Sequence, residues 1–458
     1  MTSPTPETVP AESQVDGVAW PPLDASFPDG LSGLLKQLEQ TQWLPREALE
    51  AAQRRQLAVL LAHAEAQSPH FRQRLKDAGL GVEQLLAPGG LAALPPLARR
   101  DLQANRRQIQ AAQMPSSHLP LGEVSTSGSS GTPVVVTRTG INQMFWQAFT
   151  VRDHLWHRRD ASLALAVTRA NLGSDAPQEY PNWGSPVADL YATGPGHLLH
   201  ISRPPAEQLA WLRRVDPGYF LTYPTSLGAL LDEIEKEGAR LPGLRQVRTI
   251  GETVSAHLRT RTRAVLGVDI ADCYSSQELG NMAIQCPQSG LYHLMSEGYI
   301  VEVLDPQGAP CGEGETGRLV VTDLHNFATP LIRYDLGDYA EVGPVCSCGR
   351  GSPTLRRIVG RERNMVTIDG QRHWPLVGFH RFREVAPIIQ YQLVQQAPER
   401  IDFRYVSVAP LSAGQEQLLT EIVREALRHP FEIQFHVYEG SIPLPASGKF
   451  EEFVNLLG

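Results

Sequence analysis

Cysteine is scarce in this chain, five in 458 residues. An odd, small number builds no disulfide framework, so a reducing cytoplasm is the expected compartment. No apolar run approaches the roughly 18 residues that a membrane-crossing helix needs, and no membrane partner is expected. The opening MTSPTPETVPAESQVDGVAW has neither a basic start nor an apolar core, so it does not read as a secretory signal. Excess basic charge is also missing. Lys and Arg number 41 against 49 Asp and Glu, a net of −8, which excludes a whole-chain field for nucleic acid. Internal repeats and heptads are absent. Residues 1–30 hold no Lys or Arg, five acids and six prolines. That segment is expected to be loose unless something packs on it.

What is present describes a globular chain. Hydrophobic residues make up 42% and charged residues 20%, which excludes wholesale disorder. The length exceeds a single core of about 250–300 residues. From Leu31, LSGLLKQLEQ and REALEAAQRRQLAVLLAHAEAQ carry apolar residues at helical spacing. HFRQRLKDAGL ends on a glycine suited to a C-cap, and ARRDLQANRRQIQAA continues the helical start. Short β-branched or apolar runs then alternate with helical segments: PVVVTRT, ASLALAV, YFLTY, VRTIG. Such alternation predicts an α/β sheet with crossover helices. GYIVEVLDPQGAPCGEGETGRLVVTDL predicts an antiparallel hairpin. Beyond Gly360, NMVTIDGQRHW predicts another, and PLVGFHRFREV, IIQYQLVQQ, RIDFRYVSV, EQLLTEIVREALRH and FEIQFHVYE give a short αββαβ run. The expected fold class is therefore α/β. A large N-terminal unit, 31–360, has a helical start, mixed α/β sheets and a late antiparallel part. A small α+β C-terminal unit covers 361–458.

Four stretches carry residue types suited to chemistry. Ser125-Thr126-Ser127-Gly128-Ser129-Ser130-Gly131-Thr132-Pro133 precedes a strand directly. Small residues let backbone N–H groups surround an anion, and hydroxyls add donors. It is not a Walker loop, since GK[ST] is missing, and by composition it equally suits a flexible linker. Tyr274-Ser275-Ser276-Gln277-Glu278 falls at a strand end, where α/β sheets face ligands. Tyr274 can stack on a base and Glu278 can hold Mg²⁺ through oxygen; alone, the pair equally suits a solvated Glu beside a half-buried Tyr. Ile332-Arg333-Tyr334-Asp335-Leu336-Gly337-Asp338 places Asp338 in a glycine turn, able to accept two bonds from a ribose diol. Ser447-Gly448-Lys449-Phe450 offers a mobile point charge near the end.

Cys286 and His293, with Cys346-Ser347-Cys348-Gly349-Arg350 some fifty residues later, offer four N/S donors for tetrahedral zinc. Spacing alone equally suits ordinary cysteines near a histidine. Cys273 and Cys311 read as buried small hydrophobes. RDHLWHRRD, with His154 and His157, reads as a packing helix face with snorkelling arginines.

In order and spacing these stretches resemble the adenylate-forming superfamily of acyl-CoA synthetases and adenylation domains, and within it the phenylacetate-CoA ligase branch. The likeness spans most of residues 31–458, including SPHFRQRL and LPPLARRDL near the start. It implies that Ser127, Gly128, Ser129, Ser130, Gly131 and Thr132 form the phosphate loop. Gly251 and Glu252, in Gly251-Glu252-Thr253, would lie along adenine. Tyr274 to Glu278 would be the Tyr-x-x-x-Glu motif with Glu278 as the Mg²⁺-linked acid. Asp338 would be the ribose ligand, Arg361 of Ile358-Val359-Gly360-Arg361 part of the hinge, and Lys449 the late catalytic lysine. The branch has a similar Cys, His, Cys-x-Cys pattern, which tips Cys286, His293, Cys346 and Cys348 toward a structural Zn²⁺ site.

The implied activity uses ATP and Mg²⁺ to convert a carboxylic acid into an acyl-adenylate, then passes the acyl group to a thiol, most often CoA. A carrier protein or an amine is the alternative acceptor. A nucleotide-binding relative without activity is the reading from another class. The small C-terminal unit would rotate about the hinge between steps. Trp183-Gly184-Ser185-Pro186 and Tyr223-Pro224-Thr225-Ser226 would lie at the acyl pocket, and His373-Trp374-Pro375 near the acceptor. The chain departs from the pattern at Thr132, where lysine is usual, and at Gln277, where a hydroxyl is usual. Glu362 and Arg363-Asn364 shift the acid after the hinge. Gly370-Gln371-Arg372 keeps a spacing of the wider superfamily.

Overall fold

A computed structural model describes residues 12–23, 30–126, 133–170, 172–361, 364–373, 379–440, 442–443 and 450–457. The helical start is as the periodicity predicts. Gly30–Thr41, Arg46–Gln67 and Pro69–Ala78 are helices. Ser68 caps the third by accepting from the Phe71 N–H, with Pro69 in the first turn. Gly79 ends it at φ +65, a left-handed position that glycine takes without Cβ strain. The run from Arg99 is two short helices, Arg99–Ala104 and Arg106–Ile109. Asn105 leaves helical geometry between them, at φ −116 and ψ 22.

Residues 12–23 lie inside the stretch expected to be loose, and there the structure departs from that expectation. Val15, Val18, Trp20 and Leu23 are buried. The wholly buried Gln56 amide accepts from Ala19 N (2.6 Å) and Trp20 N (3.2 Å), and donates to Gly17 O (2.9 Å). A side-chain amide thus supplies the backbone bonds that a coil segment lacks. Composition could not reveal that partner.

Among the described residues, the large sheet has the order Tyr299–Leu304, Thr316–Asp323, Tyr334–Val342, Thr354–Arg361, Tyr292–Leu294, Gly280–Gln285, Asp269–Ser276, Gln246–Thr249, Tyr219–Thr222, Leu165–Arg169, Gly196–His200, Gln178–Tyr180. Strands from Asp269–Ser276 to Gly196–His200 are parallel. From Gly280–Gln285 to Tyr299–Leu304 they are antiparallel, with the predicted hairpin at that edge. Asp269–Ser276 is the seam. Its residues 269–272 pair in parallel with Gln246–Thr249, and its residues 273–276 pair antiparallel with Gly280–Gln285. The parallel part uses crossover helices such as Pro205–Val215 and Pro224–Glu237.

The C-terminal region forms a separate four-stranded sheet, ordered Glu432–Val437, Arg400–Ser407, Ile388–Ala397, Phe453–Asn455. Helices Phe379–Val385 and Ala413–Leu427 accompany it, and Phe382, Leu393, Phe403, Leu419 and Phe431 are buried together in its core. The predicted hairpin is present as Val366–Ile368 and Gln371–His373, turning at Asp369 (φ +52) and Gly370 (φ +75). Phe453–Asn455 was not foreseen as a strand; three residues carry no readable period. No helix among the described residues is long and apolar enough to cross a membrane.

Candidate active site and metal cluster

The seam strand delivers the first group. Tyr274 lies on its antiparallel half, and its hydroxyl donates to Asp338 Oδ2 at 2.7 Å. Asp338 sits on Tyr334–Val342, directly opposite Arg361 in the ladder. Arg361 Nε donates to Asp338 Oδ1 at 3.1 Å. The carboxylate is thus gripped on both oxygens, and its charge raises the pKa of Arg361. Burial, then Asp338, pushes the Tyr274 hydroxyl well above its ordinary range. The Tyr274 ring is buried in the main core, so the phenol oxygen is anchored and the ring is less open for stacking than its position suggested.

Glu278 follows at the turn after the seam strand and is buried, not solvated. Arg99 Nη1 donates to Glu278 Oε1 at 2.8 Å, and Arg99 Nη2 donates to Thr126 Oγ1 at 2.7 Å. Thr126 stands at one end of the phosphate-loop stretch. Its N–H donates to Val134 O (2.9 Å), and Val134 N–H donates to its Oγ1 (2.9 Å). Residues 126 and 134 are therefore clamped together. Ser127, Gly128, Ser129, Ser130, Gly131 and Thr132, between them, lie outside the described residues, as does Lys449.

Tyr334, from the ribose-motif stretch, donates to Glu278 Oε1 at 3.4 Å. Leu97 N–H donates to Arg333 O (2.7 Å) and Asp335 N–H to Leu97 O (2.9 Å). That short bridge stitches LPPLARRDL to PLIRYDLGD and brings Arg99 to Glu278. Buried Arg138 donates to the Gln277 carbonyl and stacks over Trp146 at 4.8 Å, with two of its nitrogens unpartnered among the described residues. Sequence reading singled out Thr126 within the 125–133 stretch but not Arg99 or Arg138. For Arg99 a signal existed, since LPPLARRDL had been singled out, but nothing local told which arginine turned inward.

Gly251 and Glu252 lie just beyond the neighbouring strand Gln246–Thr249. Gly251 takes φ +77. Glu252 Oε2 accepts from Thr225 N (2.9 Å) and Oγ1 (2.6 Å), tying that segment to Tyr223-Pro224-Thr225-Ser226. Trp183 packs edge-on to Tyr219 at 5.6 Å. His373 is exposed on its hairpin, and Trp374 and Pro375 lie outside the described residues.

Cys286, His293, Cys346 and Cys348 meet, with ligand atoms all within 4.8 Å of one another. Cys286 Sγ and Cys346 Sγ are 3.8 Å apart, and Cys348 Sγ is 3.2 Å from His293 Nε2. Tetrahedral zinc with bonds of about 2.3 Å to sulfur requires sulfurs about 3.8 Å apart, so the donor set fits that ion. Burial, then Arg350, lowers the His293 pKa to about 4, which keeps the imidazole neutral as a ligand must be. Ser352 Oγ lies 3.1 Å from His293 Nδ1 and orients the ring. The cluster is joined to the N-terminal helices. Arg350 stacks on Trp156 at 4.1 Å, and Gly351 N–H donates to Gln42 O at 3.1 Å. A Cβ on Gly351 would stand 1.9 Å from Leu44 O, so only glycine permits this approach.

Two lesser expectations need correction. Cys273 and Cys311 are half-buried, not buried. RDHLWHRRD does not snorkel. Arg159 is wholly buried, with Nη1 2.8 Å from Asp153 Oδ2, and Arg248 reaches the same oxygen at 2.6 Å.

No family model matches the chain. It is 25% identical over 418 residues to the phenylacetate-coenzyme A ligase of Thermus thermophilus, covering 84% of this chain and 87% of that one. The enzyme of that name from Pseudomonas putida is 25% identical over 352 residues, covering 72% and 74%. A solved 2-hydroxyisobutyryl-CoA ligase in its postadenylation state aligns with TM-score 0.72 and 18% identity over 91% of each chain. In sequence and in fold this chain resembles the adenylate-forming superfamily. Within the superfamily it resembles the phenylacetate-CoA ligase branch, and the α/β fold class expected from sequence is the one observed. The same 2-hydroxyisobutyryl-CoA ligase in its thioesterification state aligns with TM-score 0.59.

Proposed function

We propose that the protein activates a carboxylic acid with ATP and transfers the acyl group to CoA. In the first step a carboxylate oxygen attacks the α-phosphorus, and pyrophosphate leaves. In the second the CoA thiol attacks the acyl carbonyl, and AMP leaves. One observation carries the reading. Three motifs far apart in sequence are joined by hydrogen bonds beside the seam: Tyr274 to Glu278, the stretch ending in Asp338, and Arg361.

Each residue has a role that its surroundings support. Asp338 retains lone pairs beyond those used by Tyr274 and Arg361 and would accept from the ribose diol. Glu278 has Oε1 engaged by Arg99, and its Oε2, without a bond among the described residues, would hold Mg²⁺, which when bound would neutralise phosphate charge. Residues 127–132, hung between Thr126 and Val134, would surround the phosphates with N–H and hydroxyl donors. Gly251 and Glu252 would border the adenine. Lys449 would bridge the reacting oxygens; it is one of only four lysines in a chain whose other cations are arginines. The four-donor cluster would hold a structural Zn²⁺, remote from the chemistry.

Residues 361–458 would turn as a unit, and 31–360 would stay as the platform. The separate C-terminal core supports this, as does a better match to one state of a single ligase than to another. Asn364 is suited to the pivot, since it accepts from Arg361 N–H (3.2 Å) and donates to Phe453 O (2.7 Å).

The test is pyrophosphate release with ATP, Mg²⁺ and a panel of aryl, fatty and amino acids, followed by thioester formation on adding CoA. Release only with an acid, and thioester only with CoA, would support the proposal. Release without thioester would move the acceptor to a carrier protein or an amine. ATP binding with no release across the panel would favour a non-catalytic relative.

A further inference from the structure

Four arginines among the described residues are almost wholly buried: Arg138, Arg152, Arg159 and Arg333, each at most 4% exposed. Three of them have a carboxylate. Arg152 Nη2 lies 2.8 Å from Glu297 Oε1, Arg159 Nη1 2.8 Å from Asp153 Oδ2, and Arg333 Nε 2.9 Å from Glu302 Oε2. Arg138 has no carboxylate within ion-pair distance among the described residues. Its Nη2 donates to the Gln277 carbonyl, and its Nε and Nη1 have no partner there. Asp323 and Glu278 act on it only at longer range. The first is engaged by Asn142 Nδ2 (2.7 Å) and His325 N–H (3.0 Å), the second by Arg99 (2.8 Å). Burial lowers the Arg138 pKa against the pull of Tyr299 and these two acids. A buried cation without a matched anion costs stability, and folds break that rule mainly at functional sites.

The place of Arg138 supplies the function. Gln277 directly precedes Glu278, the acid proposed to hold Mg²⁺. The turn 277–280 is held from several elements at once. Arg138, on the strand that leaves the Val134 clamp, takes the Gln277 carbonyl. Tyr299 donates to Leu279 O, and Leu279 N–H donates to Ser276 Oγ at 3.1 Å. Trp146, on helix Gly140–Trp156, stacks on the Arg138 guanidinium at 4.8 Å. A Cβ on Gly280 would stand 3.1 Å from the same ring. Arg138 thus holds the turn on one side of Glu278 and, through Trp146, backs it on the other.

We propose that Arg138 is a positioning residue: it fixes the 277–280 turn so that Glu278 meets Mg²⁺ and ATP without rearranging, at a cost in stability. The inference rests on the ATP-dependent reading of the site and adds a residue to it. A group held in place beforehand spends no binding energy on being ordered.

The experiment compares Arg138→Met and Arg138→Lys with wild type in three ways. These are urea unfolding of the full chain without nucleotide, calorimetry of ATP binding at graded Mg²⁺, and pyrophosphate release with any acid that wild type activates. Arg138→Met removes the charge at similar length, and its urea midpoint should equal or exceed that of wild type. Its Mg²⁺-dependent ATP binding should weaken about 10–100-fold. Its kcat should fall in the same range, with KM for the acid within about twofold. Arg138→Lys should recover part of the binding. A midpoint below wild type would overturn the proposal and make Arg138 a structural residue. Unchanged ATP binding would overturn it as well, and so would a defect confined to KM for the acid, which would make Arg138 a substrate contact. The binding arm needs no acid, so it reads the proposal even if every acid is silent. No Mg²⁺-dependent ATP binding by wild type would overturn this inference and the acid-activating reading together.

Discussion

Two aspartates in this chain are held by arginine, in opposite surroundings. Asp153 is closed in. Arg159 and Arg248 both reach it, with side-chain exposures of 1% and 12%. Burial alone would push its pKa up, but the two guanidiniums hold it far below the usual carboxylate range. Asp338 is held by Arg361, whose side chain is 35% exposed, and by a phenol. In the first arrangement the carboxylate is enclosed by two guanidiniums inside the protein. The second keeps an open side and lone pairs to spare. Residue types are alike in both; access separates a structural cluster from a binding site.

Removing the charge at the closed site should have the largest effect. Asp153→Asn leaves two buried guanidiniums unmatched and should cost about 3–5 kcal/mol. Urea unfolding would read it, and the fraction that remains folded should release pyrophosphate at the wild-type rate. A loss of rate with unchanged stability would reverse the contrast drawn here.

At the open site the opposite split is expected. Lys449→Ala should lower pyrophosphate release about 10²–10³-fold, and Asp338→Ala should raise KM for ATP about tenfold or more. Neither should move the urea midpoint by as much as Asp153→Asn. Steady-state kinetics beside unfolding curves would expose any exception.

The cysteine cluster tests the contrast at a third place, where four Cys and His donors face one another. Protein purified without chelator should carry about one zinc per chain. Ser352→Ala should weaken metal affinity about 10–100-fold by freeing the His293 ring, and Cys348→Ser should lower it further. Metal analysis with a competing chelator measures both. A zinc content near zero in wild type would remove the metal from the account.

The smallest effect is a pH dependence. His118 is buried, with Nε2 2.8 Å from the Asp16 carbonyl and Nδ1 unpartnered among the described residues. Burial lowers its pKa from 6.5 to about 4. The unfolded chain therefore takes up a proton below pH 6.5 that the folded chain refuses until about pH 4. Stability falls through that window and levels off below it. At pH 5 the loss from this histidine is about 2 kcal/mol. His118→Gln can keep the bond to Asp16, and should shrink the drop in unfolding free energy between pH 7 and pH 5 by that amount.

Much of this was legible in the sequence. Period and punctuation gave the helices up to Gly79, the alternating strands and helices, the hairpin at Asp369-Gly370 and most of the C-terminal sheet. Motif order pointed to Tyr274, Glu278, Asp338 and Arg361, which hydrogen bonds join beside the seam. The four Cys and His donors were named at positions seven, then some fifty, apart, and they meet. Misjudged were residues whose role is set by a distant partner. Residues 12–23 looked loose because Gln56 lies elsewhere in the chain. Arg99 was not singled out because the bridge through Leu97 that brings it to Glu278 is tertiary. RDHLWHRRD looked like a snorkelling face because Arg248 lies some ninety residues on.

The sequence by itself determined the local elements, the superfamily likeness and the donor types available for chemistry, because periodicity, turn residues and motif order act over short stretches of chain. Tertiary structure decided which charges face solvent and which face each other. It buried Arg159 and made Asp269–Ser276 a seam with parallel pairing on one half and antiparallel on the other. Those outcomes depend on which strands become neighbours, and hydrogen-bonded pairing across hundreds of residues leaves no local trace.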